Sequence, residues 1–276
     1  MYAVSYTTQI HMKEAMRISQ IERIEFQRGK KFIPATWEKT VAEGLIVQPY
    51  DSGQHSTVFP IDENSVNKMQ REPGVVAALT LKAEFDLAAT LKNPFVVPAL
   101  VMTTSIIGGD EHWGFLMPRM EPLNPYIMSR GEMCNSMLHA GFGLDYIHGR
   151  GVTHGDVSLP NILHDPFTKN FRLADFSTAT KSKIGSDDHK AYCRADGTCL
   201  LATAAEMIGR SAYRIPQSDT GSKNIFELTD VFGGSRPMGR LLREHLQHHR
   251  DEAWARNASE LSQRIISAIQ EELNTR

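Results

Sequence analysis

The sequence predicts an α+β protein of two lobes, in which a small, antiparallel β-rich lobe with one helix precedes a larger helical lobe. Two observations predict this division. From about residue 41 to 120, short apolar runs alternate with Gly, Asp, Asn and Pro, as is typical of strands and turns. After residue 120, apolar residues recur at helical spacing over longer stretches. We therefore expect an N-terminal extension over 1–40, a first lobe over 41–120 and a second lobe over 121–276.

The predicted first lobe contains several strand-like runs and one helix. The runs read GLIVQPY, STVFPID, SVNKMQ, VPALVMTT and HWGFLMPRM. The segment LTLKAEFDLAATLKN is rich in good helix formers, and its apolar residues have helical spacing. Asn93 and Pro94 then form a stop signal, so we expect the helix to end before them.

The predicted second lobe begins after a linker near Glu121–Pro125 and contains a long helix within EMCNSMLHAGFGLDYIHGRG. One helical stripe is formed by Met133, Met137, Ala140, Leu144 and Ile147. Two glycines inside the helix, at 141 and 143, each weaken it by ~1 kcal/mol, so packing must hold it in place. The runs NILHD and FRLADF then predict a hairpin-like pair, and the chain beyond 195 is mostly helical.

Composition and charge limit the kinds of partner to expect. The chain has 276 residues and a formal net charge of −2, which gives no reason to expect a nucleic-acid or membrane surface. Its three cysteines, Cys134, Cys193 and Cys199, lack metal-ligand spacing and predict free thiols in a reducing compartment. Neither a membrane-length apolar run nor a secretory signal pattern is present, so we expect a cytoplasmic protein.

The strongest chemical pattern is THGDVSLPNIL followed by FRLADFSTA. Asp156 and Asn161 are five positions apart, and Asp175 lies fourteen positions after Asn161. Carboxylate and amide oxygens suit Mg²⁺, which usually shares its coordination with phosphates. Phosphoryl transfer needs such a metal together with a residue that positions the attacking hydroxyl.

These residues resemble the protein-kinase family. HGDVSLPN resembles the catalytic loop H-R-D-x-x-x-x-N, and DFS resembles D-F-G. The resemblance implies ATP and Mg²⁺ as cofactors, Asp156 as the catalytic base, Asn161 as ligand of one magnesium ion and Asp175 as the main magnesium ligand. It also implies that His154 braces the loop from the core.

The region upstream contains further matches to the family. Lys68 lies on the strand-like SVNKMQ, and Glu84 follows sixteen residues later in the helix. The resemblance implies that these two pair and that Lys68 reaches the α- and β-phosphates. Lys82 competes for this role, but no suitable strand, helix and glutamate follow it. In the strand–loop–strand segment IVQPYDSGQHSTVFPID, only Gly53 matches the glycine-rich loop of the family.

The remaining matches concern the adenine pocket and the support of the catalytic loop. The resemblance implies apolar contacts to adenine from Val58, Val66 and Leu163, and a hinge flanked by Met117 and Met120. In RADGTCLL, it implies that Asp196 braces the catalytic loop through backbone N–H groups. A helix N-cap is the alternative role for Asp196, and both roles stay open at this stage.

Four departures from the family pattern affect the expected activity. Gly155 replaces the arginine before the catalytic aspartate, so we expect no phosphorylation switch of the usual kind. Ser158 replaces a lysine near the γ-phosphate, and that loss should cost ~2–4 kcal/mol of transition-state stabilisation unless Lys181 or Lys183 substitutes. Ser177 replaces the glycine of D-F-G, and A-P-E is missing. Docking of a peptide substrate must therefore be unusual or absent.

Three specific functions remain, besides the less specific option of a non-catalytic scaffold that uses another surface. The leading one is an ATP- and Mg²⁺-dependent phosphotransferase that acts on Ser or Thr hydroxyls of a protein substrate. The alternatives are a nucleotide-binding pseudokinase that serves as an interaction module, and a small-molecule hydroxyl kinase. The last is disfavoured because the long helix runs straight into GVTHGD, without the usual insertion. His245, His248 and His249 lie in a charged helical stretch, which predicts a solvated face rather than a metal site.

Overall fold

The computed structural model describes residues 51–52, 56–107, 110–213, 232–233, 235–248 and 258–274. They form two compact units. The described residues up to Lys92 belong to the first unit together with Val97–Arg119, whereas Asn93–Val96 and the residues from Met120 onward belong to the second. The predicted extension over 1–40 and the run GLIVQPY lie outside the described residues.

The first unit is built on an antiparallel sheet of five described strands. They are β1 (Asp51–Ser52), β2 (Ser56–Pro60), β3 (Ser65–Gln70), β4 (Val101–Ile107) and β5 (Asp110–Pro118), in the order β1-β2-β3-β5-β4. The Asp62 carboxylate closes the turn between β2 and β3, because Oδ1 accepts the N–H groups of Asn64 and Ser65 at 2.7 Å each. Every residue of β3 is buried, as expected for the central strand of a covered sheet.

Helix α1 (Val75–Ala88) packs on this sheet, and the rings of Phe85 and Phe115 lie 5.9 Å apart. The sequence predicted a helix over 79–92, so the observed helix begins four residues earlier and ends four residues earlier. The start was missed because Val75 and Val76 are 75% and 79% exposed, so the apolar pattern there does not mark a buried face.

The second unit contains the longer helices and two small sheets. Its strands are β6 (Glu121–Pro122), β7 (Val152–Thr153), β8 (Ile162–His164), β9 (Phe171–Leu173) and β10 (Thr180–Lys181). Its helices are α2 (Arg130–His148), α3 (Asp187–Tyr213), α4 (Pro237–His248) and α5 (Ala258–Asn274), with a 3₁₀ turn at Leu159–Asn161. The predicted hairpin is present as antiparallel β8 and β9, and the predicted linker contributes β6, which pairs with β8.

Helix α2 begins with a capping box, in which the Ser129 hydroxyl accepts the Glu132 N–H and the Glu132 carboxylate accepts the Ser129 N–H. All five residues of the predicted apolar stripe are buried. The α+β division into a small, β-rich unit with one described helix and a larger helical unit is therefore confirmed.

The two glycines inside α2 allow close packing. A Cβ at Gly143 would lie 2.9 Å from both the Leu173 Cδ1 atom and the Phe95 carbonyl oxygen. A Cβ at Gly141 would overlap the Ser262 hydroxyl of α5. One turn later, the Asp145 carboxylate caps α5 by accepting the Ala258 N–H at 2.7 Å and the Ser259 N–H at 3.1 Å. The contact between α2 and α5 thus depends on small side chains and on this cap.

Alanine substitutions in α2 are expected to have opposite effects at two glycines. Gly141→Ala should lower the unfolding free energy by ~1–3 kcal/mol, because the added methyl group forces α5 to move. Gly131→Ala is the matched control. Its Cβ would meet nothing closer than 3.9 Å, so better helix propensity should raise stability by up to ~1 kcal/mol. Urea unfolding measures both changes, and stabilisation by Gly141→Ala would contradict the packing described.

Beyond residue 195 the described residues are mostly helical, as predicted. Helix α3 already begins at Asp187, because its first turns are polar and have no apolar pattern that would mark them. One expectation about the second unit was wrong. His245 is buried rather than solvated, and its Nε2 atom lies 2.8 Å from the Thr198 hydroxyl. His248 is exposed as predicted, and His249 lies outside the described residues.

Within the described ranges, no helix combines the length and apolar character that crossing a bilayer requires.

Candidate functional site

The first unit contains a buried ion pair at the predicted positions. The Lys68 Nζ atom of β3 lies 2.7 Å from the Glu84 Oε1 atom of α1, and the two side chains are 6% and 5% exposed. Burial makes the pair sensitive to the loss of either partner, since desolvated charges need compensation. Lys82, by contrast, is exposed and pairs with Asp86 one turn further along α1. The predicted pairing of Lys68 with Glu84 is therefore present.

Strand register places several predicted residues on the same sheet face as Lys68. Directly opposed residues of antiparallel strands share a face, as do residues two apart on one strand. Val58 opposes Lys68, and Val66 opposes Met117. Val66 is 3% exposed, whereas Val58 and Met117 are half-buried. This face therefore presents an apolar strip beside one buried ammonium group, which suits an aromatic base attached to phosphates.

The other predicted nucleotide contacts are less completely described. Gly53 lies outside the described residues. Met120 is buried in the second unit, and Leu163 is half-buried on β8, where it opposes Pro122 and Arg172. Their predicted roles beside adenine stay predictions.

The predicted catalytic loop lies between β7 and β8 of the second unit. Asp156 is exposed, so its carboxylate is accessible to a substrate. The Asn161 Nδ2 atom donates to the Asp156 carboxylate at 2.8 Å and to the Asp156 carbonyl oxygen at 2.9 Å. These bonds use the amide nitrogen and orient the Asn161 side-chain oxygen as the atom that a cation would take.

The backbone just before Asp175 is tied to Asn161, because the Ala174 N–H donates to the Asn161 carbonyl oxygen at 2.9 Å. The φ of Asp175, 63°, is left-handed, a conformation that aspartate tolerates better than most side chains. The Ser177 N–H donates to Asp175 Oδ1 at 3.2 Å, and the following Phe176 is buried against His154, with ring centroids 5.0 Å apart. Because the Phe176 ring is packed against His154, the position of the neighbouring Asp175 carboxylate relative to the loop is fixed.

The catalytic loop is held by the buried carboxylate of Asp196. Oδ2 accepts the His154 N–H and Oδ1 accepts the Gly155 N–H, both at 2.8 Å. Asp196 lies in the middle of α3, so the alternative role of a helix N-cap was wrong. His154 is fully buried, and its Nε2 atom lies 3.0 Å from the Ala174 carbonyl oxygen. Burial lowers the pKa of His154, so the ring is neutral and braces the loop as predicted.

A second partner of Asp196 was not predicted from the sequence. The His148 Nε2 atom, at the end of α2, lies 2.8 Å from Asp196 Oδ2. Burial alone would lower the pKa of His148, but hydrogen bonds with Asp196 and Cys193 outweigh burial and raise the pKa to about 9. His148 is therefore charged at neutral pH. No sequence signal distinguishes this histidine, because its partner lies 48 residues away.

The raised pKa of His148 predicts that the unfolding free energy falls as the pH rises above neutrality. A group whose pKa rises on folding stabilises the fold fully below its unfolded pKa and loses that contribution as pH rises through the folded pKa. Between pH 6.5 and about 9, the unfolding free energy should therefore fall by on the order of 3 kcal/mol. Denaturant unfolding at several pH values measures this slope. His148→Gln should flatten it, and an unchanged slope in that variant would contradict the assignment.

Close backbone contacts explain why glycine replaces the usual arginine at position 155. Gly155 has a φ of 82°, and a Cβ there would lie 2.8 Å from the Thr178 carbonyl oxygen. Nearby, the Ser182 N–H donates to the Gly151 carbonyl oxygen at 2.8 Å, and β10 pairs with β7. Backbone hydrogen bonds thus hold the segment after Asp175 against the predicted catalytic loop. These contacts do not require a phosphorylated residue in the segment.

The donor set fits a magnesium ion that shares ligands with phosphate. Among the residues that the structure describes, no three His, Cys, Asp or Glu side chains form a self-sufficient metal site. Asn161 and Asp175 each carry a side-chain oxygen of the kind that Mg²⁺ prefers, and Mg²⁺ commonly binds through one or two such groups together with substrate phosphates. These residues would therefore hold the ion when a nucleotide is present.

Known proteins that the chain resembles are protein kinases. Serine/threonine-protein kinase PLK4 of Xenopus tropicalis is 25% identical over 195 residues, covering 67% of this chain and 19% of that protein. Dual specificity protein kinase pyk3 of Dictyostelium discoideum is 26% identical over 172 residues, covering 58% of this chain and 12% of that protein. The chain thus spans about a fifth or less of the length of these relatives. No family model matches.

The fold is similar to that of a solved protein-kinase domain. The PknI kinase domain of Mycobacterium tuberculosis superposes with a TM-score of 0.51 at 18% sequence identity, covering 80% of this chain and 94% of that domain. From the catalytic-loop sequence, the pairing of Lys68 with Glu84, the fold and these relatives, we conclude that the chain contains a protein-kinase-like domain.

Proposed function

We propose that this protein transfers the γ-phosphoryl group of ATP, with Mg²⁺, to a hydroxyl of a protein substrate, with serine and threonine as the expected acceptors. The observation that supports the proposal most is that the Asn161 Nδ2 atom donates to the Asp156 carboxylate, while the Ala174 N–H, next to Asp175 in the chain, donates to the Asn161 carbonyl oxygen. Phosphoryl transfer depends on positioning and on electrostatic stabilisation, and these groups supply both.

In this proposal, the first unit binds the nucleotide. The apolar strip of Val58, Val66 and Met117 contacts the base, and the Lys68 ammonium contacts the α- and β-phosphates. Glu84 holds the ammonium in place, as its 2.7 Å contact with Lys68 supports. Burial of this pair strengthens the attraction between Lys68 and phosphate, because little water screens it.

The second unit carries out the chemistry in this proposal. The exposed Asp156 carboxylate accepts a hydrogen bond from the substrate hydroxyl, orients it for attack and takes up its proton. Asn161 and Asp175 would hold Mg²⁺, which would neutralise charge on the phosphates when bound. The Asn161 amide also fixes the Asp156 carboxylate through their 2.8 Å hydrogen bond, so acid–base and metal-binding groups keep a constant spacing.

A nucleotide-binding module without transfer activity is the second candidate. It is favoured by Ser158, which stands where the family usually has a lysine and is only 9% exposed. The serine hydroxyl is neutral, so it cannot supply the positive charge that a lysine ammonium would place near the γ-phosphate. Transition-state stabilisation from that position is therefore lost, whereas nucleotide binding through Lys68 and Asp175 is retained.

Transfer of label from [γ-³²P]ATP to the protein itself and to a generic acceptor such as casein separates the two candidates. We expect incorporation that requires Mg²⁺ and disappears in Asp175→Ala. Asp188→Ala, which changes an exposed aspartate in the first turn of α3, is the matched control and should retain activity. Nucleotide binding without incorporation would favour the non-catalytic module and overturn the proposed transfer.

A further inference from the structure

The segment around β10 runs alongside the residues that lead into the predicted catalytic loop. Thr180 of β10 opposes Thr153 of β7 in an antiparallel pair. Further along, the Ser182 N–H donates to the Gly151 carbonyl oxygen at 2.8 Å. The two segments therefore form a short two-stranded ribbon next to the catalytic loop. We define this ribbon as residues 150–155 and 177–186.

The ribbon carries positive charge without compensating carboxylates. Its Lys and Arg residues are Arg150, Lys181 and Lys183, and all three are exposed. Neither segment of the ribbon contains Asp or Glu. The next carboxylates along the chain, Asp187 and Asp188, lie in the first turn of α3. We call the three exposed cations of the ribbon the basic strip.

The two lysines of the basic strip differ from other exposed cations of the chain, which pair with carboxylates. The Arg240 guanidinium, for example, lies 2.7 Å from the Glu271 carboxylate. Within the described part of the chain, neither Lys181 nor Lys183 forms an ion pair. Their ammonium groups are therefore available to a negatively charged partner.

Arg150 is held in a fixed position at the far end of the strip. Its guanidinium lies over the Tyr146 ring, 3.7 Å from the ring centroid, and Nη1 donates to the Tyr146 carbonyl oxygen at 3.3 Å. A guanidinium has five N–H donors in a planar fork. Stacking uses the face of this group, so its edge can still donate to a carboxylate.

The ribbon also sets the distance between the basic strip and Asp156. The Thr178 hydroxyl donates to the His154 carbonyl oxygen at 3.0 Å, so Thr178 lies level with the residues just before Asp156. Lys181 and Lys183 follow three and five positions later. At ~3.3 Å per residue of extended chain, they lie ~10 and ~17 Å further along the ribbon. An extended peptide has the same rise, so its residues three to five positions from the acceptor would lie opposite these lysines.

We propose that the basic strip binds acidic side chains of the substrate, three to five residues from the acceptor serine or threonine. This inference rests on the proposed phosphotransfer function, and it assigns Lys181 and Lys183 to substrate recognition rather than to the γ-phosphate. Three cations on a chain of net charge −2 suit a short acidic segment better than a nucleic acid. Complementary charge also orients the segment relative to Asp156.

Peptide binding to the full-length chain tests this inference without relying on phosphotransfer. Fluorescence anisotropy, in the absence of ATP, compares labelled peptides with a central serine and with glutamate, glutamine or lysine at the third to fifth positions on one side of it. We expect the glutamate peptide to bind ~10-fold more tightly than the glutamine peptide, since each exposed ion pair contributes a few-fold. The lysine peptide should bind most weakly.

Charge reversal of the strip should reverse this order of affinities. The variant is Lys181→Glu with Lys183→Glu. The matched control is Lys92→Glu with Lys169→Glu, which makes the same change of charge at two exposed lysines outside the strip and should keep the order of the wild type. Equal affinities of the three peptides in the wild type, or the wild-type order in the charge-reversed variant, would overturn the inference.

Steady-state kinetics with labelled ATP and the same peptides separate this inference from the proposed phosphotransfer. We expect charge reversal to raise KM for the glutamate peptide. A lower kcat with an unchanged peptide KM would assign the lysines to the γ-phosphate and overturn the inference. Tight binding of the glutamate peptide without incorporation of label would contradict the proposed phosphotransfer, and it would still support the basic strip as a surface for acidic peptides.

Discussion

Replacing Asp156 with asparagine is expected to lower the phosphotransfer rate by ~10²–10⁴-fold, the usual contribution of a positioned general base. Asparagine is nearly isosteric, and its side-chain oxygen can still accept the Asn161 Nδ2–H that Asp156 accepts at 2.8 Å. The loop should therefore keep its shape while losing the group that takes up a proton. Steady-state kinetics with labelled ATP measure the loss in kcat.

Two further measurements distinguish this chemical effect from misfolding. The melting temperature of Asp156→Asn should match that of the wild type, and the stabilisation by ATP with Mg²⁺ should persist. Asp188→Asn on α3 is the matched control and should retain full kcat. A rate for Asp156→Asn within a few-fold of the wild type would remove Asp156 from the proposed mechanism.

Replacing Lys68 with methionine is expected to have two separate effects. Removing one member of a buried ion pair costs ~3–5 kcal/mol of stability, because Glu84 stays buried without this ammonium. Nucleotide affinity should also fall, since the proposed contact to the α- and β-phosphates is lost. Urea unfolding measures the first effect, and titration with ATP and Mg²⁺ measures the second.

The double variant Lys68→Met with Glu84→Leu separates these effects. Two apolar side chains of similar size can replace a buried ion pair with little loss of stability. We expect the double variant to recover most of its stability but not its nucleotide affinity. Lys82→Met, at an exposed lysine of the same unit, should change neither. Recovery of nucleotide binding in the double variant would show that Lys68 acts only on the fold.

The resemblance to protein kinases predicted that Lys68 pairs with Glu84 and that Asp156 lies close to Asn161, because the order and spacing of these residues match the motifs of that family. Asp156 and Asn161 belong to one loop, and Lys68 and Glu84 belong to an adjacent strand and helix. The stripe of α2 was predictable for a similar reason, since helical periodicity reports burial directly. The loop residues, the ion pair and the apolar stripe each belong to short stretches of chain, in which the spacing along the sequence determines which side chains lie on the same side.

Features that depend on tertiary contacts were not predictable. The start of α1 was missed because Val75 and Val76 are exposed, and the start of α3 was missed because its first turns are polar. Buried His245 was placed on a solvated face because its Thr198 partner is 47 residues away. Periodicity and composition carry no information about such distant partners, so a local pattern could not identify them.

Thermal unfolding with ATP and Mg²⁺ tests the central claim most directly, namely that the chain binds ATP together with Mg²⁺ and that Lys68 and Asp175 are each needed for this binding. A ligand at 100 times its Kd should stabilise the wild type by ~2.7 kcal/mol. We predict that this gain requires both Mg²⁺ and ATP, and that Lys68→Ala and Asp175→Ala each abolish most of it. No gain at millimolar ATP, or a full gain in either variant, would contradict the account.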